Sequence, residues 1–574
     1  MRTVQNQSDN TIYKDVIVIG NGPSGIAMSL ILSGKLPYLT TDEHPDEMLS
    51  ARLKNVTSSC LISQDLGLLA QGLEGRSSNP VSLLMDALLH PYADLGLEME
   101  PLLEFRQMGK EIDHLVLGRG PPGGSWHTMD PDILTLSLGS WMALPGIPFP
   151  SCITNEKRAF ARDVAAYYER YVDEMDLNRY FKTNTVVTGV RSLISTKPSN
   201  APTSSAFWNL VDRVKVHIEP ETSMATSPCF LTNALNCLLV RSSNRRNRLC
   251  RRSKNMHQDA SLRKLNNKPE TVIIPKHEKK RSRSCCCYQS ETGPISRSPD
   301  SFAPQNVPLY NKFNSCDSPR EPRWIVKSLD VETGETTTYS CKYVVLACGA
   351  NDSPNRLEIF KGRTDPECLV HDLRSLESKL DEALKATNIL DPVLIVGAGL
   401  SAADAVMAVR QRNVPVVHVF RGKSAEFNKQ LPENMYPEYH KVHQMMNDGG
   451  STYPLYQAFP EHSLTDFEPG SNTVKLLSKT GQEVKLNISF AAVLIGSKPN
   501  LSFMQPEDLK LGIFKDRDID SKTNPININL LTYEVAGHEG LFAIGPLVGD
   551  NFVRFLTGGA VAVGSELYKK MNLI

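Results

Sequence analysis

Two glycine-rich turns carry the chemistry legible in this chain: Gly20-Asn21-Gly22-Pro23-Ser24-Gly25 and Gly397-Ala398-Gly399-Leu400-Ser401-Ala402, their first glycines 377 positions apart. In such a turn the first glycine closes a tight strand-to-helix corner and the second lets backbone approach a pyrophosphate. The third position must be small so that helix and strand pack closely. The phosphates then sit on the positive end of the helix. Two such turns point to an enzyme that holds two dinucleotides against each other.

The elements around the turns suit that use. Asp15–Ile19 and Pro392–Val396 are short apolar runs, as expected of central parallel strands buried on both faces, and Ile26–Ser33 and Ala403–Arg410 read as helices. After the first helix, Pro37-Tyr-Leu-Thr-Thr reads as a second strand ending in Asp42-Glu43. That is near the spacing of about 20 residues at which a carboxylate meets a ribose hydroxyl, which suits the adenosine end of FAD; either acid fits. After the second helix, Val414–Phe420 ends in Arg421-Gly-Lys423 with no acid. Cations there meet a 2′-phosphate that an acid would repel, so NADPH is favoured over NADH.

Four further segments extend the flavin reading. Gly120-Pro-Pro-Gly123-Gly124-Ser-Trp126 is a glycine-dense turn that brings backbone to a planar cofactor, with Trp126 shielding one side. Tyr343–Ala350 and Ala491–Ser497 are strands with small-residue exits, suited to carrying the chain between two nucleotide domains. Gly540-Leu-Phe-Ala-Ile-Gly545-Pro-Leu-Val-Gly-Asp550 precedes Thr557-Gly-Gly-Ala560 and a C-terminal helix whose positive end faces the flavin pyrimidine in this reading. Gly545 and Asp550 join the FAD set, and Ser401 and Ala402 join the NADPH set with Gly397, Gly399, Arg421 and Lys423.

The expected fold is α/β, with two Rossmann-like dinucleotide-binding domains, the NADPH domain inserted into the FAD domain. Residues 1–194 form the first part of the FAD domain, 195–320 a disordered basic insertion, and 321–355 a small β-meander with the return strand. Residues 356–500 form the NADPH domain and 501–574 the C-terminal part of the FAD domain. The meander is read from Thr183–Leu193 and Trp324–Val345, joined by a hairpin at Glu332-Thr-Gly-Glu335. Pro80–Leu89 is helical in pattern, and its segment, about Glu47–Leu117, covers the flavin or offers a partner surface; its residues do not choose.

The 574 residues, 40% hydrophobic and 22% charged, allow two or three domains, and a net charge of +0 gives no global pull toward nucleic acid. No apolar run reaches the roughly 20 residues that span a bilayer, and Met1–Tyr13 is too polar for a secretory leader. None of the 12 cysteines forms a CxxC pair, which argues against a zinc ribbon and a redox disulfide of that spacing. Free thiols and no metal site are expected. From Arg241 to Arg283 the chain carries 15 Lys/Arg against 3 acids, and seven of the cysteines lie in the insertion. Lys279–Arg283 and Arg245–Lys254 suit nuclear import or an anionic surface, Cys285-Cys286-Cys287 suits acylation, and Ser298-Pro and Ser318-Pro suit phosphorylation; a solvated linker is the plainer reading. The expected location is cytoplasmic, with the nucleus, a membrane or a cell-division structure left open.

GNGPSG, GGSW, the ACGA and LIGS strand ends, VGAGLSAADA and AIGPLVGD together resemble the class B FAD- and NADPH-dependent flavoprotein monooxygenases. More narrowly, DVIVIGNGPSGIAMS, GRGPPGGSWHTM and LTLSLGSWMALPG resemble the oxidative stress-induced growth inhibitor family, over nearly the whole chain apart from the basic insertion. The resemblance implies monooxygenation through a C4a-hydroperoxyflavin, with molecular oxygen and a small-molecule or protein substrate, and a link to cell growth, division or differentiation. Protein partners would dock on residues 195–320. Two departures stand out. The F-x-G-x-x-x-H segment of flavin-containing monooxygenases is stretched here, from Phe360-Lys-Gly362 to His371, and their active-site Asn has no counterpart in Thr135–Trp141. Asn434-Met-Tyr-Pro437 is similar to the Asn-Glu-x-Phe-x-Pro region of amino-acid N-hydroxylases, so Asn434 and Trp126 are the candidate catalytic-pocket residues. Two other readings compete: a cofactor-binding growth regulator without turnover, and a pyridine nucleotide-disulfide reductase.

Overall fold

The computed structural model describes residues 11–150, 158–193, 321–423 and 433–574, apart from positions 55, 57, 58, 96, 98, 363, 388, 389, 469 and 506–508, together with the backbone of Leu239–Arg241. The basic run, the cysteine triplet and the two Ser-Pro sites lie outside the described residues. Leu239–Arg241 falls in the expected insertion and forms a strand antiparallel to Ile133–Thr135.

The first sheet grows from the apolar run before the first glycine turn. Strand β1 (Ile12–Ile19) leads into helix α1 (Pro23–Leu32), which has proline at its first position. Next come β2 (Lys35–Leu39), α2 (Glu47–Leu53), α3 (Leu66–Ala70), α4 (Pro80–Leu89), β3 (Leu103–Gln107) and β4 (His114–Leu117). The chain then passes through β5 (Ile133–Leu138), β6 (Arg158–Phe160), α5 (Ala161–Glu174), β7 (Phe181–Lys182) and β8 (Thr185–Ser192) to β9 (Leu239–Arg241), β10 (Trp324–Asp330) and β11 (Thr336–Leu346).

β11 is the pivot of this sheet. Its first half pairs antiparallel with β10, and its second half runs parallel to β1, with Ile19 opposite Leu346. The β8-β10-β11 meander is therefore continuous with the parallel strands, in the order β8-β10-β11-β1-β4-β7.

The second dinucleotide fold lies between two crossover strands, β12 (Ser353–Pro354) and β21 (Ser497–Lys498), which pair antiparallel. Its elements are β13 (Leu369–Val370), α6 (Leu373–Ala386), β14 (Val393–Val396), α7 (Leu400–Gln411), β15 (Val416–Phe420), α8 (Pro437–Asp448), β16 (Tyr456–Pro460) and, after the antiparallel β17–β19 (His462–Glu468, Thr473–Ser478, Glu483–Asn487), β20 (Ala491–Val493). Its parallel sheet has the order β13-β20-β14-β15-β16.

After β21 the chain returns to the first sheet. β22 (Met504–Gln505) pairs with β8, β23 (Leu541–Ala543) runs parallel to β11, and α9 (Val553–Lys570) follows. The architecture is thus α/β with one dinucleotide-binding fold inserted into another. Helix α1 is buried from Ser24 to Leu32, which explains why its sequence has no polar stripe. α9 crosses it, with Gly564 against Ile31, and a Cβ at Gly558 would stand 2.3 Å from the Cα of Ser82 on α4. The segment that the sequence left open therefore contributes α4 as a packing layer on α9, and its Val81, Leu84, Met85 and Leu88 are buried. No described helix is long and apolar enough to cross a membrane.

Candidate functional site

At the first turn each glycine meets a different steric demand. Gly20 has φ +111, and a Cβ on it would lie 2.4 Å from the carbonyl oxygen of Ala347 where β11 ends; a Cβ on Gly25 would lie 2.0 Å from the oxygen of Gly20. Gly22 is the open position: its nearest neighbour would be the oxygen of Gly123 at 4.0 Å. The glycine pair backs directly onto this opening, since a Cβ on Gly124 would come within 3.1 Å of the Gly22 Cα, and Gly123 N–H donates to Asn21 O at 2.9 Å. No side chain caps α1 and its first turn holds no acid, so its N-terminal N–H groups face the space that Gly22 leaves free. This cradle fits a dinucleotide pyrophosphate.

Three further residues were expected at FAD, namely Asp42, Glu43 and Asp550. Asp42 and Glu43 were expected at the end of the strand beside β1, but β2 pairs antiparallel with β3, and the neighbour of β1 is β4. The strand-end position therefore belongs to Gly118, where a Cβ would fall 2.1 Å from the Asn21 side chain, itself donating from Nδ2 to Gly120 O at 2.6 Å. β4 is locked there by His114, which stacks on Tyr180 at 4.0 Å and accepts from Ser29 Oγ at 2.8 Å. Burial lowers the His114 pKa to about 4, which keeps the ring neutral.

Asp550 turns its carboxylate inward: Ser77 Oγ donates to Oδ1 at 2.6 Å, and Ser82 Oγ and Tyr533 OH donate to Oδ2, each at 2.9 Å. Burial pushes its carboxyl up to about 6, against the pull of these donors. Trp126 is likewise 3% exposed, its ring 6.5 Å from that of Tyr168, so it backs the glycine pair from within the core. Gly545 stays close to the turn, with a Cβ on it reaching 2.3 Å from Ser24 Oγ on α1.

The second turn repeats the corner geometry. Gly397 has φ +138, and a Cβ there would lie 2.3 Å from the oxygen of Leu494. His418 Nε2–H donates to Gly397 O at 2.7 Å while Nδ1 accepts from Tyr456 OH at 2.9 Å; burial lowers its pKa to about 4, in keeping with a neutral ring. Ser401 and Ala402 are buried in the first turns of α7. Here β15 does lie beside β14, so Arg421 extends from the neighbouring strand end.

A cavity of about 710 Å³ opens over this turn, lined by Gly397–Gly399, Val419–Gly422 and Leu494–Lys498. Its cations are Arg421, Arg356, Lys498 and Lys522; Lys423 is exposed and outside its lining. Lys498 follows a strand end already singled out, but Lys522 comes from the C-terminal part of the chain, about 100 residues from Arg421 by its numbering, and no local pattern announces it.

Between the two folds, Asn434 is exposed on a turn before α8, and the neighbouring Tyr436 is buried against β5, its hydroxyl donating to Leu136 O. Arg158, which carried no sequence signal, joins these two segments.

Residues 326–531 match the family model described as Pyridine nucleotide-disulphide oxidoreductase. Over 97% of its length the chain is 34% identical to oxidative stress-induced growth inhibitor 2 of Homo sapiens, covering 93% of that protein. It is 35% identical to growth inhibitor 1 of Mus musculus, again over 97% of its length and 95% of the relative. Among solved structures, a bacillithiol disulfide reductase from Staphylococcus aureus is similar with a TM-score of 0.49 at 12% identity, covering 98% of this chain and 99% of that one. The matched family model spans the whole of the second dinucleotide fold, from β12 to β21.

Proposed function

The chain belongs to the oxidative stress-induced growth inhibitor family, and from that premise we propose that it is an NADPH-dependent flavoprotein monooxygenase acting in the control of cell growth, division or differentiation. The observation that carries the reading is the pair of glycine turns on separate parallel sheets, joined by crossover strands that lie side by side. FAD is assigned to the cradle of Gly20, Gly22, Gly25, Gly123 and Gly124, with Gly545 behind it. NADPH is assigned to Gly397, Gly399, Ser401 and Ala402, with Arg421 and Lys522 lining the cavity above them and Arg356 and Lys498 there paired with Asp365 and Asp518. Bound flavin supplies hydride acceptance and activation of oxygen at its C4a carbon. The chain's own residues bind and orient the two nucleotides and exclude water from the space between them.

The test is direct. The purified protein is expected to carry flavin absorbance and to oxidise NADPH with incorporation of one atom of labelled O2 into an amine or sulfide product. Peroxide release alone, across every amine and sulfide tried, would overturn the monooxygenase reading. The disulfide reductase reading is disfavoured by the thiols among the described residues: Cys60, Cys341, Cys348 and Cys368 are unpaired, and burial raises the pKa of each. A regulator without turnover predicts that Gly22→Ala and Gly399→Ala variants keep the full cellular effect.

A further inference from the structure

We propose that Arg158 is a positioning residue that clamps the Asn434–Pro437 segment of the NADPH-binding half onto strand β5 of the FAD-binding half, and so sets where Asn434 stands. The inference rests on the reading that oxygen transfer takes place between the two halves.

Arg158 opens β6 with only 5% of its surface exposed, and its guanidinium reaches both ways across the junction through Nε and Nη1, while Nη2 is buried without a hydrogen-bond partner. Toward β5, Nε donates to Thr135 O at 2.6 Å, and the next residue's backbone N–H donates to Thr135 Oγ1 at 3.1 Å. Toward the other half, Nη1 donates to Met435 O at 3.3 Å and to Glu438 Oε1 at 3.2 Å. The guanidinium also lies over the Tyr436 ring, 4.8 Å from its centre. Tyr436 returns the contact by donating its hydroxyl to Leu136 O. One turn further along α8, Tyr439 bonds to the buried Asp404 of α7, the helix that begins at the second glycine turn.

Contacts therefore run from β5 through Arg158 to Met435, Tyr436 and Glu438, which follow Asn434, and Tyr439, next to Glu438 on α8, continues to the NADPH helix. A planar fork that bonds in two directions while stacking on a ring demands arginine, because a lysine ammonium supplies neither the second arm nor the flat face. Met435, Tyr436 and Glu438 all follow Asn434, so the backbone is held immediately on its C-terminal side.

The experiment uses the full-length protein with Arg158→Met, Arg158→Lys and Tyr436→Phe. Hydrogen exchange, read on the protein as purified, is expected to quicken by about tenfold in peptides spanning 433–448 in Arg158→Met, with β1 and α1 unchanged. With NADPH and oxygen, peroxide released per NADPH is expected to rise several-fold in Arg158→Met while KM for NADPH stays within about twofold, and Arg158→Lys restores only part of the coupling. Arg158→Met added to Asn434→Ala is expected to raise the peroxide yield no further, since both act through the same residue. Unchanged exchange in 433–448, a rise spread equally over β1 and α1, or additive peroxide yields would each overturn the proposal.

Should Arg158→Met not fold, Tyr436→Phe keeps the ring under the guanidinium and removes only the bond to Leu136, and the same exchange peptides decide. A wild-type protein that binds no flavin would sink the enzyme reading, whereas the exchange result would still judge the clamp.

Discussion

The two dinucleotide folds of this chain begin alike and then diverge. In the second, the chain leaves α7 at Gln411, enters β15 at Val416 and lays that strand directly beside β14. In the first, it leaves α1 at Leu32 and enters β2 even sooner, at Lys35, but β2 turns away to pair with β3. The place beside β1 goes to β4, which begins at His114. The rule that the residue after the second strand meets the ribose holds only where no further elements intervene. Here α2 to α4 and the β2–β3 pair intervene, and a glycine stands where an acid was expected.

The sharpest way to break this comparison is to graft an acid onto the true strand end. Gly118→Asp puts a Cβ 2.1 Å from the Asn21 side chain. We expect a loss of about 3 kcal/mol or more, seen as insoluble protein or a collapsed melting temperature, with relief in the Asn21→Gly, Gly118→Asp double variant. Gly22→Ala is expected to do the reverse, leaving thermal stability within about 1 kcal/mol because its Cβ meets open space, while bound flavin absorbance is lost.

In the second fold, Arg421→Ala is expected to raise KM for NADPH by roughly 10- to 100-fold, the value of about 1.5–3 kcal/mol for a charge-assisted contact, and to leave KM for NADH unchanged. An equal rise for both would show that Arg421 does not read the 2′-phosphate.

Asp550 supplies a pH-dependent contrast. Its carboxyl is raised from 3.8 to about 6 by burial, so in that window the folded chain binds more protons than the unfolded one. Its contribution to stability therefore falls as pH rises from about 4 to 6 and is flat above, with a slope of up to about 1.4 kcal/mol per pH unit. Asp550→Asn should flatten the slope in denaturant titrations across that window; an unchanged slope would count against a buried, proton-binding Asp550. The smallest effect is expected from Asp42→Asn with Glu43→Gln, which should leave flavin affinity within about twofold. A tenfold loss would restore these acids to the cofactor site.

Much of the fold was legible because its signals are local. The spacing of the glycines, an apolar run between turns and the small residue at Gly25, whose Cβ would meet Gly20, depend on neighbours within a few residues. The candidate site was legible only in part. Gly20, Gly22 and Gly25 stand together with Gly123 and Gly124 because the turn and the glycine pair are each spelled out in sequence. Asp550 and Trp126 were singled out by their motifs, yet both side chains are enclosed by residues from distant segments, Ser77, Ser82 and Tyr168 among them.

By itself the sequence determined two glycine corners, their helices, the cation after β15 and the family to which the chain is similar. The Gly25 contact with Gly20 and apolar periodicity are properties of residues close together in the chain. Only the tertiary structure decided that β4 rather than β2 lies beside β1, that Lys522 reaches the second cavity, and that Arg158 joins the two halves 277 residues away at Met435. Strand pairing and burial are settled by competition among segments far apart in the chain, and no window of sequence contains that competition.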